Sequence, residues 1–254
     1  MGVWGWEELA DGVVLEGIVD HVDAQIADDG DWNIHVRPAA GFRHLRVNPH
    51  IARPNTNGLV ECEVEPPGRI EGEDAEDDAV FHRYMDHLAG KFVRVVGTWS
   101  IDCSHSYDGH SCVTGCCDEG KTEIHPVLSI VADLEPSEDA ARSIEIFVFA
   151  DSSSNRPRHV PHSHSSRVAS FQVPIGPADP LRDTRAAYLF RSEVDQAERK
   201  SFTIEEIDGE HVFVGTVTSG TEAAGTGFYH AAIDLYYESR NPNPAPWLEL
   251  LLLR

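Results

Sequence analysis

The stretch from Val93 to Val131, VRVVGTWSIDCSHSYDGHSCVTGCCDEGKTEIHPVLSIV, constrains the fold of this chain more than any other. Val93 to Trp99 and Glu123 to Val131 carry the β-branched, apolar runs of strands that have to be buried. The loop between them is rich in Cys, His, Ser, Asp and Gly, and has too little apolar surface to order itself. Two strands joined this way make a hairpin. A lone hairpin is marginal in water, so the flanking sequence has to build a sheet around it.

Upstream, Val13 to Val22 (VVLEGIVDHV) alternates apolar and polar residues, with Gly17 at a bulge or bend. Asp28 to Asp31 (DDGD) is a turn, and Trp32 to Arg37 (WNIHVR) sets Trp32, Ile34 and Val36 on one face. Leu59 to Val64 (LVECEV) is a third strand, in which Cys62 points to the core as a free thiol. Nine acidic residues between Glu61 and Asp78, against Arg69 alone, read as a solvated loop. Val80 to Leu88 has apolar residues at 80, 81, 84, 85 and 88, the spacing of a helix, and Gly90 follows as its C-cap.

Three strands, a helix and two strands is the order of an OB-fold, a five-stranded barrel with its helix between the third and fourth strands. Residues 1–133 read as this domain. Leu134 to Ala141 (LEPSEDAA) reads as a linker. Residues 143–254 read as a β-sandwich. Its strands are Ser143–Phe149, Val168–Ile175, Ala187–Phe190, Ser201–Ile207, His211–Val217, Phe228–Tyr237 and Trp247–Leu253. Asp208-Gly209 is a tight-turn signal between two of them. The expected fold is therefore mainly β: an OB-like barrel with one helix, followed by a sandwich.

Asp31-Trp32, Leu59-Val60-Glu61, the run from Gly90 to Val95, Asp102, His105 and the block Thr122-Glu123-Ile124-His125-Pro126-Val127 stand together in the first half of the chain. On these residues the half resembles an OB-like module of uncharacterised bacterial proteins, with EIHPV as the distinctive closing strand. The resemblance implies the barrel and no particular activity. Here the link between Asp102/His105 and EIHPV is longer and carries four Cys.

Charge narrows the partners. A net charge of −23, with Lys only at 91, 121 and 200 and no basic run, repels nucleic-acid phosphates and anionic membranes. No stretch approaches the roughly 18 apolar residues of a membrane helix, and no leader precedes the first strand, so the expected compartment is the cytoplasm. Five Cys cannot all pair within one chain.

Three constellations are candidates for chemistry. Cys103, His105, His110, Cys112, Cys116 and Cys117 fall within fifteen residues, and zinc takes about four such ligands. The spacing lacks a C-x-x-C pair, and disulfides or free thiols are the competing readings. Asp102, His105, Glu123 and His125 converge if the two strands pair, since 123 and 125 share a face. They fit either a divalent-metal site or a polar cluster that fixes the hairpin. His162 and His164 form an H-x-H pair that reads as an exposed loop or a metal pair.

The expected function is a non-enzymatic binding or assembly module, with a protein partner or self-association, zinc as the candidate cofactor, and a cross-linked Cys/His loop. A metal-dependent hydrolase working through Asp102, His105, Glu123 and His125 is the alternative. Single-stranded nucleic-acid binding, with bases stacked on Trp32 and Trp99, is a second alternative that the net charge disfavours.

Overall fold

The computed structural model describes residues 6–24, 32–55, 57–64, 85–106, 120–136, 140–150, 163–165, 168–178, 181–187, 197–219 and 227–237. The protein is mainly β. Its strands are β1 (Trp6–Ala24), β2 (Trp32–Pro38), β3 (Val47–Asn48), β4 (Arg53–Pro54), β5 (Val60–Val64), β6 (Phe92–Ser106) and β7 (Gly120–Leu134). They continue as β8 (Arg142–Ala150), β9 (Ser163–Ser165), β10 (Val168–Pro177), β11 (Leu181–Ala187), β12 (Ala197–Ile207), β13 (Glu210–Ser219) and β14 (Gly227–Tyr237). A 3-10 helix spans Ala40–Arg46, where no periodic signal stands in the sequence.

Five strands pair in a ring. β1 pairs antiparallel with β2 and with β6, β2 with β5, and β6 with β7. The ring closes through a parallel contact of β5 with β7, Glu61 opposite Glu123 and Cys62 opposite Ile124. Every strand of the ring sends alternate residues into one core, among them Leu15, Trp32, Ile34, Cys62, Val95 and Ile124. Cys62 is the buried free thiol its setting predicts. Gly17 marks a close approach, because a Cβ there would stand 2.3 Å from the carbonyl oxygen of Arg37. Of the expected helix, Met85 and Asp86 are described and helical, and Gly90 follows with φ +81°, as a C-cap requires. Met85 and Leu88 are buried in the same core. The His87 imidazole meets the Glu145 carboxylate of β8.

β7 is long enough to serve two neighbours on one edge. Its first half meets β5, and Ser129 to Leu134 pair with Val148 to Ser143 of β8. The segment between residues 134 and 142 thus joins adjacent antiparallel strands of one sheet. That sheet runs on through β14 to β11. A four-stranded sheet, in the order β12-β13-β10-β9, supplies the facing residues of a second core. There Val131, Ile144, Ile146 and Ile233 meet Val173, Ile175 and Phe213. Phe147, between Ile146 and Val148, points the other way into the first core.

Asp208 and Gly209 have φ of 53° and 79° and close the β12–β13 hairpin with Ile207 opposite Glu210, as the Asp-Gly signal predicts. Of the strand expected at 187–190 only Ala187 is described, and it ends β11, Leu181–Ala187, a polar run with no alternation to betray it; 188–190 lie outside the described residues. β11 stands at the end of the sheet, paired only with β14 among the described residues. His164, expected in a loop, lies in β9. The acidic loop 66–78, the loop 220–226 and the closing strand at 247–253 lie outside the described residues.

Candidate metal centre

The site follows from two alternations and one register. On β5 Cys62 points inward, so Glu61 and Glu63 point out. On β7 Ile124 points inward, so Glu123 and His125 point out. The parallel register then brings Glu63 beside His125. His125 Nδ1 lies 2.9 Å from Glu63 Oε2 and 3.4 Å from Glu123 Oε1. One ligand atom from each of the three residues lies within 4.8 Å of the others.

These outward groups are nevertheless buried. The side chains of His125, Glu123 and Glu63 are 2%, 3% and 12% exposed. Burial pushes the Glu123 carboxyl well above the usual carboxylate range. The Glu63 charge pushes it further, His125 draws it back, and Asp102 adds a smaller upward push. Glu123 Oε1 and the Ser100 hydroxyl, on the residue opposite Glu123 in β6, make no hydrogen bond among the described residues. The nearby Lys121 ammonium turns to Glu61, at 3.4 Å. The Glu63 and Glu123 carboxylates therefore share one imidazole in a dry place, and two buried carboxylates against one imidazole call for a proton or a cation. Two carboxylate oxygens and one imidazole nitrogen are a donor set that suits zinc or another borderline divalent ion.

Of the residues singled out in the sequence, Glu123 and His125 meet here. Asp102 is buried on the same side, close enough for its charge to act on Glu123. Cys103 and His105 fall in β6, but their side chains lie outside the described part. His110, Cys112, Cys116, Cys117 and His162 lie outside the described residues altogether. Glu63 is the member of this group that the sequence reading misses. Its signal was present in the Glu61-Cys62-Glu63 alternation, combined with a barrel order that sets the third strand beside the fifth.

A second group lies farther along the same side of the ring. His21 and Asp23 of β1 stand by His35 of β2, again with ligand atoms within 4.8 Å of one another. Burial, first of all, holds the His35 imidazole below its ordinary range. Trp32 is in the core, and the half-buried Trp99 donates its indole N–H to the Leu45 carbonyl at 2.9 Å.

Among the described residues no helix is long and apolar enough to cross a membrane. The chain matches no family model, no curated protein and no solved structure.

Proposed function

We propose that the protein is a non-enzymatic binding or assembly module. An OB-like barrel, residues 1–133, is continued by a β-sandwich, residues 143–254. A divalent cation, zinc, braces the outside of the barrel at Glu63, Glu123 and His125. The observation that carries this reading is Glu123: a carboxylate buried beside a second carboxylate, with one oxygen lacking a hydrogen bond among the described residues. A zinc ion there would supply the missing charge and tie β5 to β7 across the closure of the ring.

The near-complete burial of Glu123 and His125 supports a bracing role over hydrolysis, since an open coordination position has to be reached by substrate. The ring order, with its parallel third-to-fifth contact, supports the OB-like description. The net charge of −23 and the buried Trp32 speak against nucleic acid. A protein partner or second copy would add a strand at β11, the end of the larger sheet. The Cys/His loop between β6 and β7 is cross-linked in this reading, by zinc or by disulfides.

Metal analysis of protein purified without added zinc, beside the Glu123→Gln variant, is the test. The expected result is bound zinc in the parent, one ion fewer per chain in the variant, and a fall in Tm when the parent is treated with EDTA. Equal metal in both proteins would remove zinc from this site.

A further inference from the structure

We propose that His21, Asp23 and His35 form a second divalent-cation site, with two imidazoles and one carboxylate as ligands and coordination positions left open to an outside ligand. It stands independently of the site at Glu123.

The backbone builds it deliberately. Regular alternation from Leu15 and Val19 would carry His21 into the core. The register of β1 on β2 shifts between Val19 and His21, so that His21 turns outward opposite His35 and Val22 packs against the core instead. The two imidazoles stack with centroids 4.2 Å apart and planes 18° from parallel. His21 Nε2 lies 3.4 Å from Asp23 Oδ2, and His35 Nε2 lies 3.5 Å from the same oxygen. Both separations are long for a hydrogen bond. Each is the separation of two donors on one ion, since two ligands bound at 2.0–2.1 Å and the tetrahedral angle stand about 3.4 Å apart; on binding, the partly exposed His21 ring would tilt out of the stack to bring its in-plane lone pair to the ion.

His21 Nδ1 lies 3.0 Å from Asp20 Oδ2, the other oxygen of Asp20 accepts from the Arg37 guanidinium, and the far side of the same ring, Nε2, faces Asp23. A carboxylate behind a ligating imidazole is the usual support of a metal-bound histidine. With His21 44% and Asp23 60% exposed at the side chain, an ion here would meet solvent on one side. Nitrogen-rich, partly open sites of this kind take zinc, cobalt(II), nickel(II) or copper(II).

The test is a cobalt(II) titration of metal-free full-length protein, read by visible absorption and calorimetry, on the parent and on E123Q, D23N, H21Q/D23N and D20N. The parent and E123Q should both fill the site. D23N and H21Q/D23N should lose one ion per chain, with no change in any thiolate-to-cobalt absorption contributed by the Cys loop. D20N should bind about 10–100-fold more weakly while its Tm in EDTA stays that of the parent. D23N and H21Q/D23N that take up cobalt with the parent's stoichiometry and affinity would overturn the assignment. So would loss of this uptake in E123Q alone. A failure of the Glu123 site reads differently, as an E123Q variant indistinguishable from the parent.

Discussion

Burial holds the Glu123 carboxyl well above the usual carboxylate range, so the folded, metal-free chain keeps a proton there that the unfolded chain releases near 4.5. The folded state binds more protons, and its stability therefore falls as pH rises from about 4.5 through the raised folded value. A bound divalent ion reverses the dependence, because it takes the place of that proton and binds more tightly as pH rises. Glu123→Gln keeps the shape and removes the charge. In EDTA at pH 7 it should be more stable than the parent by on the order of 1 kcal/mol, and its advantage in Tm over the parent should widen from roughly pH 5 to 8, while the lowered His35 contributes the same rise with pH to both proteins. Calorimetric melts of both proteins across that range check both points, and a parent–variant difference in Tm that stays constant or narrows as pH rises in EDTA would contradict the argument. Cys62 is the inward counterpart. Burial foremost, then the charges of Glu61, Glu123 and Glu63, push its thiol well up. A thiol kept protonated in the core is a poor nucleophile. Cys62 should resist alkylation in the native protein and react on unfolding. Cys62→Ser should cost about 1–3 kcal/mol by leaving a hydroxyl without a partner, while Cys62→Ala costs only the methyl-sized void.

At the level of elements, the β12–β13 turn is where sequence and backbone agree most closely. Asp208 and Gly209 both have positive φ, which the right-handed strand twist demands of a two-residue hairpin turn. Gly209→Val should lower stability by about 1–3 kcal/mol in urea unfolding, and Asp208→Asn should leave it within about 0.5 kcal/mol. An equal effect of the two substitutions would show that the turn's dihedrals are not what holds the hairpin. The same local logic made the faces of β2 and β5 legible: Trp32, Ile34, Val36 and Cys62 go inward as their alternation requires. What alternation cannot report is which strand lies beside which. Glu63 meets His125 only because β5 and β7 pair in parallel, a contact between segments far apart in the chain. Nor does alternation report its own interruptions. His21 reads as a core position until the bulge after Val19 turns it outward. Of the candidate ligands missed, Glu63 was lost to long-range pairing, and His21, with Asp23 and His35 beside it, to a backbone irregularity; their residue types were no obstacle.

Over the whole molecule, the two cores meet within the thickness of the β7–β8 pair. Ile146 and Val131 face one core, while Phe147 and Ile130 face the other. Two charged contacts join the first ring to the second sheet and the shared strands to each other. Arg94 of β6 reaches Glu16 at 3.3 Å and Glu210 of β13 at 2.9 Å, and it is only 13% exposed at the side chain. Arg142 of β8 binds Asp133 at 2.7 Å and donates to the Ile175 carbonyl of β10 at 2.6 Å. Neither core can open without stripping one face of β7 or β8, and a strand that loses one face's packing loses most of the reason to stay paired on the other. The chain should therefore unfold as one cooperative unit despite its two cores. Calorimetric and van't Hoff enthalpies should agree, and tryptophan fluorescence, read on a chain with Trp4, Trp6 and Trp247 changed to Phe so that it reports Trp32 and Trp99 of the ring, should follow the same transition as far-UV circular dichroism. Phe147→Ala, which empties a fully buried aromatic from the first core, should cost about 3–5 kcal/mol and lower both signals together. A fluorescence transition separated from the dichroism transition, or a Phe147→Ala variant that moves one and leaves the other in place, would mean that the two cores melt independently and that the shared strands do not couple them.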